Sequence, residues 1–208
     1  MRGIEPVAPL PDGLMQKSAP PPDDELVARA RKGDVAAFRL LVERYEGRVF
    51  TTVVGMLGRG DEVDDVAQET FIRFYETLER FRGEASVGTY LTRIAMNLSL
   101  NAIKRRKRWT ARFLSTEFII GTRHEAAVDS IPGAEQSEQR ERIRKAVDTL
   151  EPKLRAVVVL RMVDEYSTRE TADILGVPLG TVLSRLSRAQ AKLRKVLGPY
   201  YNESNAPI

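Results

Sequence analysis

Apolar residues recur along this chain at spacings of three and four, and no stretch sustains an alternation of two. The first spacing is that of a helix with one buried face, and the second would be that of a strand. The pattern therefore predicts an all-α protein in two helical blocks, about 23–111 and about 138–198. In the first block Asp23 or Asp24 is placed to cap a short helix that Gly33 ends, and Asp34 is placed to cap the next. That second helix would turn Phe38, Leu41, Val42, Tyr45 and Val49 to one side. In "DEVDDVAQETFIRFYETLE" the inner face is Val63, Val66, Ala67, Thr70, Phe71, Phe74 and Leu78. A fourth helix, starting near Ser86, has an apolar stripe of Val87, Leu91, Ile94, Leu98 and Ala102.

The second block opens with "ERIRKAVDTL", where Ile143, Val147 and Leu150 point inward, followed by a helix starting near Pro152. Next come Ser167 and Glu170, spaced as a capping box, and the small Ala172. Gly176 is suited to a left-handed helix end, and a further helix starts near Leu179. That order of cap, small residue, glycine turn and second helix is helix-turn-helix spacing. The last helix would bury Val182, Leu186, Ala189, Leu193 and Leu197.

Between the blocks, residues 112–137 lose periodicity and read as a flexible linker. Residues 1–22 hold six prolines and little apolar content, and read as a disordered tail. Residues 199–208 read as a polar C-terminal tail. Each block has roughly 60–90 residues, and small domains leave much of their chain surface unburied. Partners are expected to complete their order.

Charge changes the picture because of where it sits. Net charge is only +4, but residues 61–79 carry seven acidic side chains and one basic. The outer face of that helix, Glu62, Asp65, Gln68, Glu69, Ile72 and Glu76, would repel DNA. It also holds Ile72 among acids, which suits either a solvated face or a protein contact. At the other extreme, Lys104 to Arg108 are five consecutive cations. One or two would complement a helix C-terminus; five repel one another and call for an anionic partner. On the same flank Tyr90, Arg93, Asn97, Asn101 and Lys104 offer a ring for stacking, amides for base edges and cations for phosphates. A lipid surface would use the cations and leave the tyrosine and asparagines without a role. The last helix carries five basic and no acidic residues over 179–195, with Thr181, Ser184, Arg185, Arg188 and Lys192 opposite its apolar face. Short polar and arginine side chains there suit a DNA groove.

Catalytic chemistry finds little support. His124 is the only histidine and there is no cysteine, glycine-rich phosphate loop or metal-ligand spacing. No cofactor is expected. No apolar run reaches signal-peptide or membrane-span length, so a cytoplasmic place without membrane insertion is expected.

With these residues in view, the chain resembles a bacterial RNA polymerase sigma factor of the extracytoplasmic-function group. The resemblance covers about 23–198. It is carried by "DDVAQETF", "FRGEASVGTYLTRIAMNLSLN" and "LGVPLGTVLSRLSRAQAKLRK", in that order. It implies a non-catalytic initiation factor whose domain two spans 23–111 and whose domain four spans 138–198. Asp65, Gln68 and Glu69, with Ile72 beside them, then match the surface that docks on the clamp helices of core polymerase, and domain four would meet the flap. Tyr90, Arg93, Asn97 and Asn101 match the −10 reading helix, and Lys104, Arg105 and Arg106 extend it along phosphates. The loop 81–86 matches the one that receives a flipped base. Thr181, Ser184, Arg185, Arg188 and Lys192 fall on the −35 reader. An anti-sigma factor is implied as a partner. Tyr90 stands where relatives often have Trp. Leu183 stands where many have Lys, which implies one backbone contact fewer. The alternative is a helix-turn-helix regulator that binds duplex DNA without core polymerase.

Overall fold

The computed structural model describes residues 20–113 and 134–203. Most of the N-terminal tail, residues 114–133 of the expected linker with His124, and the last five residues lie outside the described residues. Every regular element among the described residues is helical: α1 (Asp23–Arg31), α2 (Val35–Leu57), α3 (Glu62–Thr77), α4 (Val87–Phe113), α5 (Ala134–Asp148), α6 (Pro152–Val158), α7 (Thr168–Leu175) and α8 (Leu179–Glu203). A 3₁₀ turn, Leu78–Arg80, follows α3, and a π-helical turn, Val159–Val163, continues α6.

Helix ends follow local chemistry. Asp34 accepts from the Ala37 amide at the start of α2, and Ser86 does the same for Thr89 at the start of α4. Ser167 and Glu170 close the full capping box on α7, and Gly176 ends that helix in the left-handed region at φ 60°. α1 departs from expectation: Pro22 is its N-cap and makes no side-chain cap bond. Asp23 and Asp24 fall in the first turn, where their charge meets the helix dipole. Asp23 reaches across instead to Arg44 and to the Tyr45 hydroxyl. Burial, then the Asp23 carboxylate, pushes the Tyr45 phenol up to about 12.

α1 to α4 enclose one core, with Leu26, Leu41, Val49, Val53, Met56, Phe74, Leu91 and Met96 buried. That core extends into the second block and includes Ala156, Val159, Leu160, Tyr166 and Ile174. Smaller clusters form around Leu150, Leu154, Val158 and Ala189, and around Val157, Ala172 and Val182. The two blocks thus complete part of each other's burial. At the seam, a Cβ on Gly55 would lie 2.9 Å from a Val159 methyl, so the Val159 side chain of the π turn packs directly on the α2 backbone. Arg155 is buried there. Its Nη1 donates to the Met56 carbonyl at 2.7 Å, and it pairs with Asp148 at 3.3 Å. Thr52 Oγ lies 2.9 Å from an Asp164 carboxylate oxygen, and Thr92 and Tyr166 join hydroxyls at 2.9 Å.

This seam moves the buried stripe of α4. Thr92, Ala95, Met96, Ser99, Ala102 and Ile103 are buried, whereas Ile94 and Leu98 are half-buried. The second block covers the Thr92 side, so the stripe is wider than the sequence pattern and is rotated from it. Ile143, expected inward, is 39% exposed on α5. α5 begins four residues before the second block was expected to begin, and α4 runs to Phe113. α8 continues through Pro199 to Glu203, beyond the expected end at 198.

Candidate nucleic-acid and protein interfaces

Three surfaces gather the residues singled out in the sequence. On α3, Asp65 and Gln68 are exposed, Ile72 is 52% exposed, and the half-buried Glu69 accepts from Arg73 Nε at 2.8 Å. Beside this face a groove opens between α2 and α3, lined by Val42, Glu46, Phe50, Asp64, Gln68 and Phe71. Phe50 is 47% exposed there. The α2 side was missed in the sequence. Its signal is Val42, Glu46 and Phe50 at spacings of four, an apolar–acidic–apolar row on one helix face.

The second surface runs along α4. Tyr90 is only half-buried: its ring packs 5.1 Å from the Phe81 ring and 5.9 Å from that of Phe74, and its hydroxyl lies 3.2 Å from the Thr77 hydroxyl. Arg93 is half-buried, and its Nη2 donates to the Asp173 carbonyl on α7 at 3.1 Å. Asn97, Asn101, Lys104, Arg105, Arg106, Lys107 and Arg108 are exposed. Arg105 is tied to Glu62 at 2.6 Å, so one of the five cations is partly neutralised by α3. The loop 81–86 borders a cleft of about 700 Å³. Glu84, Ser86, Thr89 and Arg93 form one wall and Asp173, Gly176 and Pro178 the other. The far wall is the turn of the helix-turn-helix, so the α4 surface and the third surface adjoin.

The third surface is α8. Val182 and Ala189 are buried and Leu186 and Leu193 half-buried, which sets the inner face. Successive residues turn by about 100°. The outermost arc is therefore Gly180, Ser184, Ser187, Arg188, Ala191 and Lys195, all exposed, and Leu183 is exposed about a quarter turn away on one flank. Of the expected readers, Ser184, Arg188 and Lys192 are exposed, while Thr181 and Arg185 sit half-buried on the flank. Ser187 and Gly180 were missed. Short residues on the outward arc are their signal. Lys192 is held to Glu151 at 2.9 Å. The Lys192 ammonium draws the Glu151 carboxyl below its ordinary range, first by hydrogen bonding and then by charge.

These features define the class: an all-helical chain with a helix-turn-helix, a basic α4 end and a separate acidic, partly apolar face. Residues 41–109 match the sigma-70 region 2 family model, and residues 140–193 match the sigma-70 region 4 model. The chain is 33% identical to the RNA polymerase sigma-H factor of Pseudomonas aeruginosa, covering 88% of this chain and 97% of that protein. It is 34% identical to the ECF RNA polymerase sigma factor SigW of Bacillus subtilis, covering 82% and 94%. Among solved structures it resembles CnrH in complex with the cytosolic domain of CnrY, at 27% identity and a TM-score of 0.59, covering 85% of this chain and 97% of that one. It shares its fold with the sigma factor RpoE of Bartonella quintana, at 20% identity and a TM-score of 0.62, covering 79% and 98%. The chain belongs to the extracytoplasmic-function group of sigma-70 family RNA polymerase sigma factors.

Proposed function

We propose that this chain brings core RNA polymerase to promoters and opens them, without itself carrying a catalytic site. In this reading residues 23–111 act as domain two and 138–198 as domain four, joined by the linker 112–137. Asp65, Gln68, Glu69 and Ile72 dock on the polymerase clamp helices, with Phe50 and the α2–α3 groove receiving apolar side chains. Tyr90, Arg93, Asn97 and Asn101 read the −10 element, with Lys104, Arg105 and Arg106 on the adjoining phosphates. α8 reads the −35 element through Ser184 and Arg188, with Thr181, Arg185 and Lys192 on its flanks. Domain four also meets the polymerase flap. An anti-sigma factor covers one of these faces when the protein is held inactive, and the site of action is the cytoplasm. No helix among the described residues is long and apolar enough to cross a membrane.

One observation carries the reading. The acidic face with its exposed Ile72 lies on a different helix from both DNA-facing surfaces. A regulator that binds duplex DNA alone has no use for it. The test is transcription from fragmented genomic DNA of the source organism by purified core polymerase, with and without this chain, followed by sequencing of 5′ ends. New start sites with shared −10 and −35 elements are expected. A chain that binds duplex DNA, yields no new starts and fails to bind core polymerase would be the regulator instead.

A further inference from the structure

The reading surface of α8 is not as polar as its sequence suggests. Leu183 is 49% exposed, and Leu179, one turn before it, is 46% exposed. Both lie in the first two turns of the helix, the part that enters a groove in helix-turn-helix docking. The polar groups beside them are partly engaged with the helix itself. Ser184 Oγ donates to the Thr181 carbonyl at 3.0 Å, and Arg188 Nε donates to the Ser184 carbonyl at 3.2 Å. Leu183 thus projects from the flank of the outward arc, next to a serine whose proton is directed back at the helix.

An exposed leucine pair on an otherwise basic surface needs an apolar counterpart inside an anionic partner. Residues 179–195 hold five basic and no acidic residues, so the surroundings favour phosphate. Inside the major groove the apolar group within reach of a helix is the 5-methyl of thymine. A protein surface covering this face would have to be acidic around its apolar centre, which duplex DNA already supplies along its whole length.

We propose that Leu183, assisted by Leu179, reads thymine methyl groups in the −35 element. The proposal rests on the promoter-binding assignment above and adds a specificity determinant to it. A leucine at position 183 then does more than lack the phosphate contact of a lysine. It exchanges a sequence-blind charge contact for a sequence-dependent apolar one.

Deoxyuridine differs from thymine only by that methyl, which makes the test direct. Holoenzyme reconstituted from core polymerase and the full chain is titrated with a promoter fragment found by 5′-end mapping. Each −35 thymine is replaced by deoxyuridine in turn. At one or two positions the replacement is expected to weaken binding about three- to fivefold, the worth of one buried methyl. Leu183→Ala is expected to bind thymine and deoxyuridine equally at those positions, and Leu183→Met to keep the preference. The side chain is exposed, so far-ultraviolet circular dichroism of both variants should match the parent. If thymine and deoxyuridine bind alike everywhere while base-pair changes in the −35 element still weaken binding, the methyl reading is overturned and the promoter assignment stands. A preference that survives Leu183→Ala assigns the contact to another residue and overturns the role of Leu183. Indifference to every −35 base-pair change removes both this proposal and the assignment of α8 as the reader.

Discussion

The two helices proposed to face DNA hold their candidate reading residues in opposite ways. On α4 two of the proposed −10 readers are also structural: the Tyr90 ring is part of an aromatic cluster with Phe74 and Phe81, and Arg93 is held by the Asp173 carbonyl. On α8 the Ser184 hydroxyl and Arg188 Nε donate to their own helix, and Lys192 pairs with the surface carboxylate of Glu151. A helix whose reading side chains are packed keeps them in place at a cost in adaptability. One whose reading side chains are free must order them on binding, at about 0.5–1.5 kcal/mol per long side chain. Substitutions should therefore couple folding to DNA binding on α4 and separate them on α8.

The largest test is Tyr90→Ala. It removes a packed ring and should lower unfolding stability by about 2–4 kcal/mol, alongside any loss of promoter opening. Tyr90→Phe loses only the contact with Thr77 and should cost no more than about 1 kcal/mol. Urea denaturation separates the two. An unmoved midpoint for Tyr90→Ala would show the ring idle in packing and erase the contrast between the helices.

The matching test on α8 is Arg188→Ala. We expect about 1–3 kcal/mol lost on the preferred −35 duplex. Unfolding should change by less than about 0.5 kcal/mol. Arg185→Ala, on the half-buried flank, should show a smaller sequence preference. A loss that is equal on all sequences makes that arginine a phosphate contact.

A subtler comparison uses salt. Neutralising Lys104 to Arg108 should flatten the logarithmic salt dependence of promoter binding by about 0.7–0.9 for each phosphate contact removed. Arg105 already faces Glu62, so its share should be the smallest of the five. A slope unchanged by all five substitutions would make the run a solvated helix end.

The last comparison concerns the seam between the blocks. Burial pushes the Asp164 carboxyl up to about 6 from an ordinary value of 3.8, with the Thr52 hydrogen bond and the Arg48 charge opposing. The Thr52 hydroxyl has one proton and two acceptors in reach, Asp164 and the Arg48 carbonyl. A protonated Asp164 lets both be satisfied. Between pH 3.8 and about 6 the folded chain keeps a proton that the unfolded chain has released, so stability should fall as pH rises through that window. Asp164→Asn should remove that contribution, seen as a flatter pH dependence of the thermal midpoint. An identical pH profile in the variant would place the titration elsewhere.

How much of this the sequence discloses depends on whether the cause is local. The helix-turn-helix was legible because its cap, its small residue and Gly176 act within one turn of the chain. The exposed Ile72 and the acidic face were legible for the same reason. The width of the α4 stripe was not, because Thr92 is buried against Tyr166, more than seventy residues on in the chain. Arg155 was hidden by its chemistry. A charged residue in "KLRAVVVLRMV" reads as the solvent side of a helix, yet it caps the carbonyl end of α2 from within the core. The half-burial of Thr181 and Arg185 escaped notice because their positions differ from the true outward arc by less than one helical step.

The close approach of Gly55 to Val159 has a consequence for how this sequence tolerates change. The two positions form one packing unit although more than a hundred residues separate them. A methyl at 55 is a good helix former and a bad neighbour at once. Gly55→Ala alone should wedge the π turn away from α2, and Val159→Ala alone should leave a void. Together they should nearly cancel, giving a strongly non-additive pair. Natural drift at either site would then be conditional on the other, so descendants of this sequence should vary at 55 and 159 in concert or at neither.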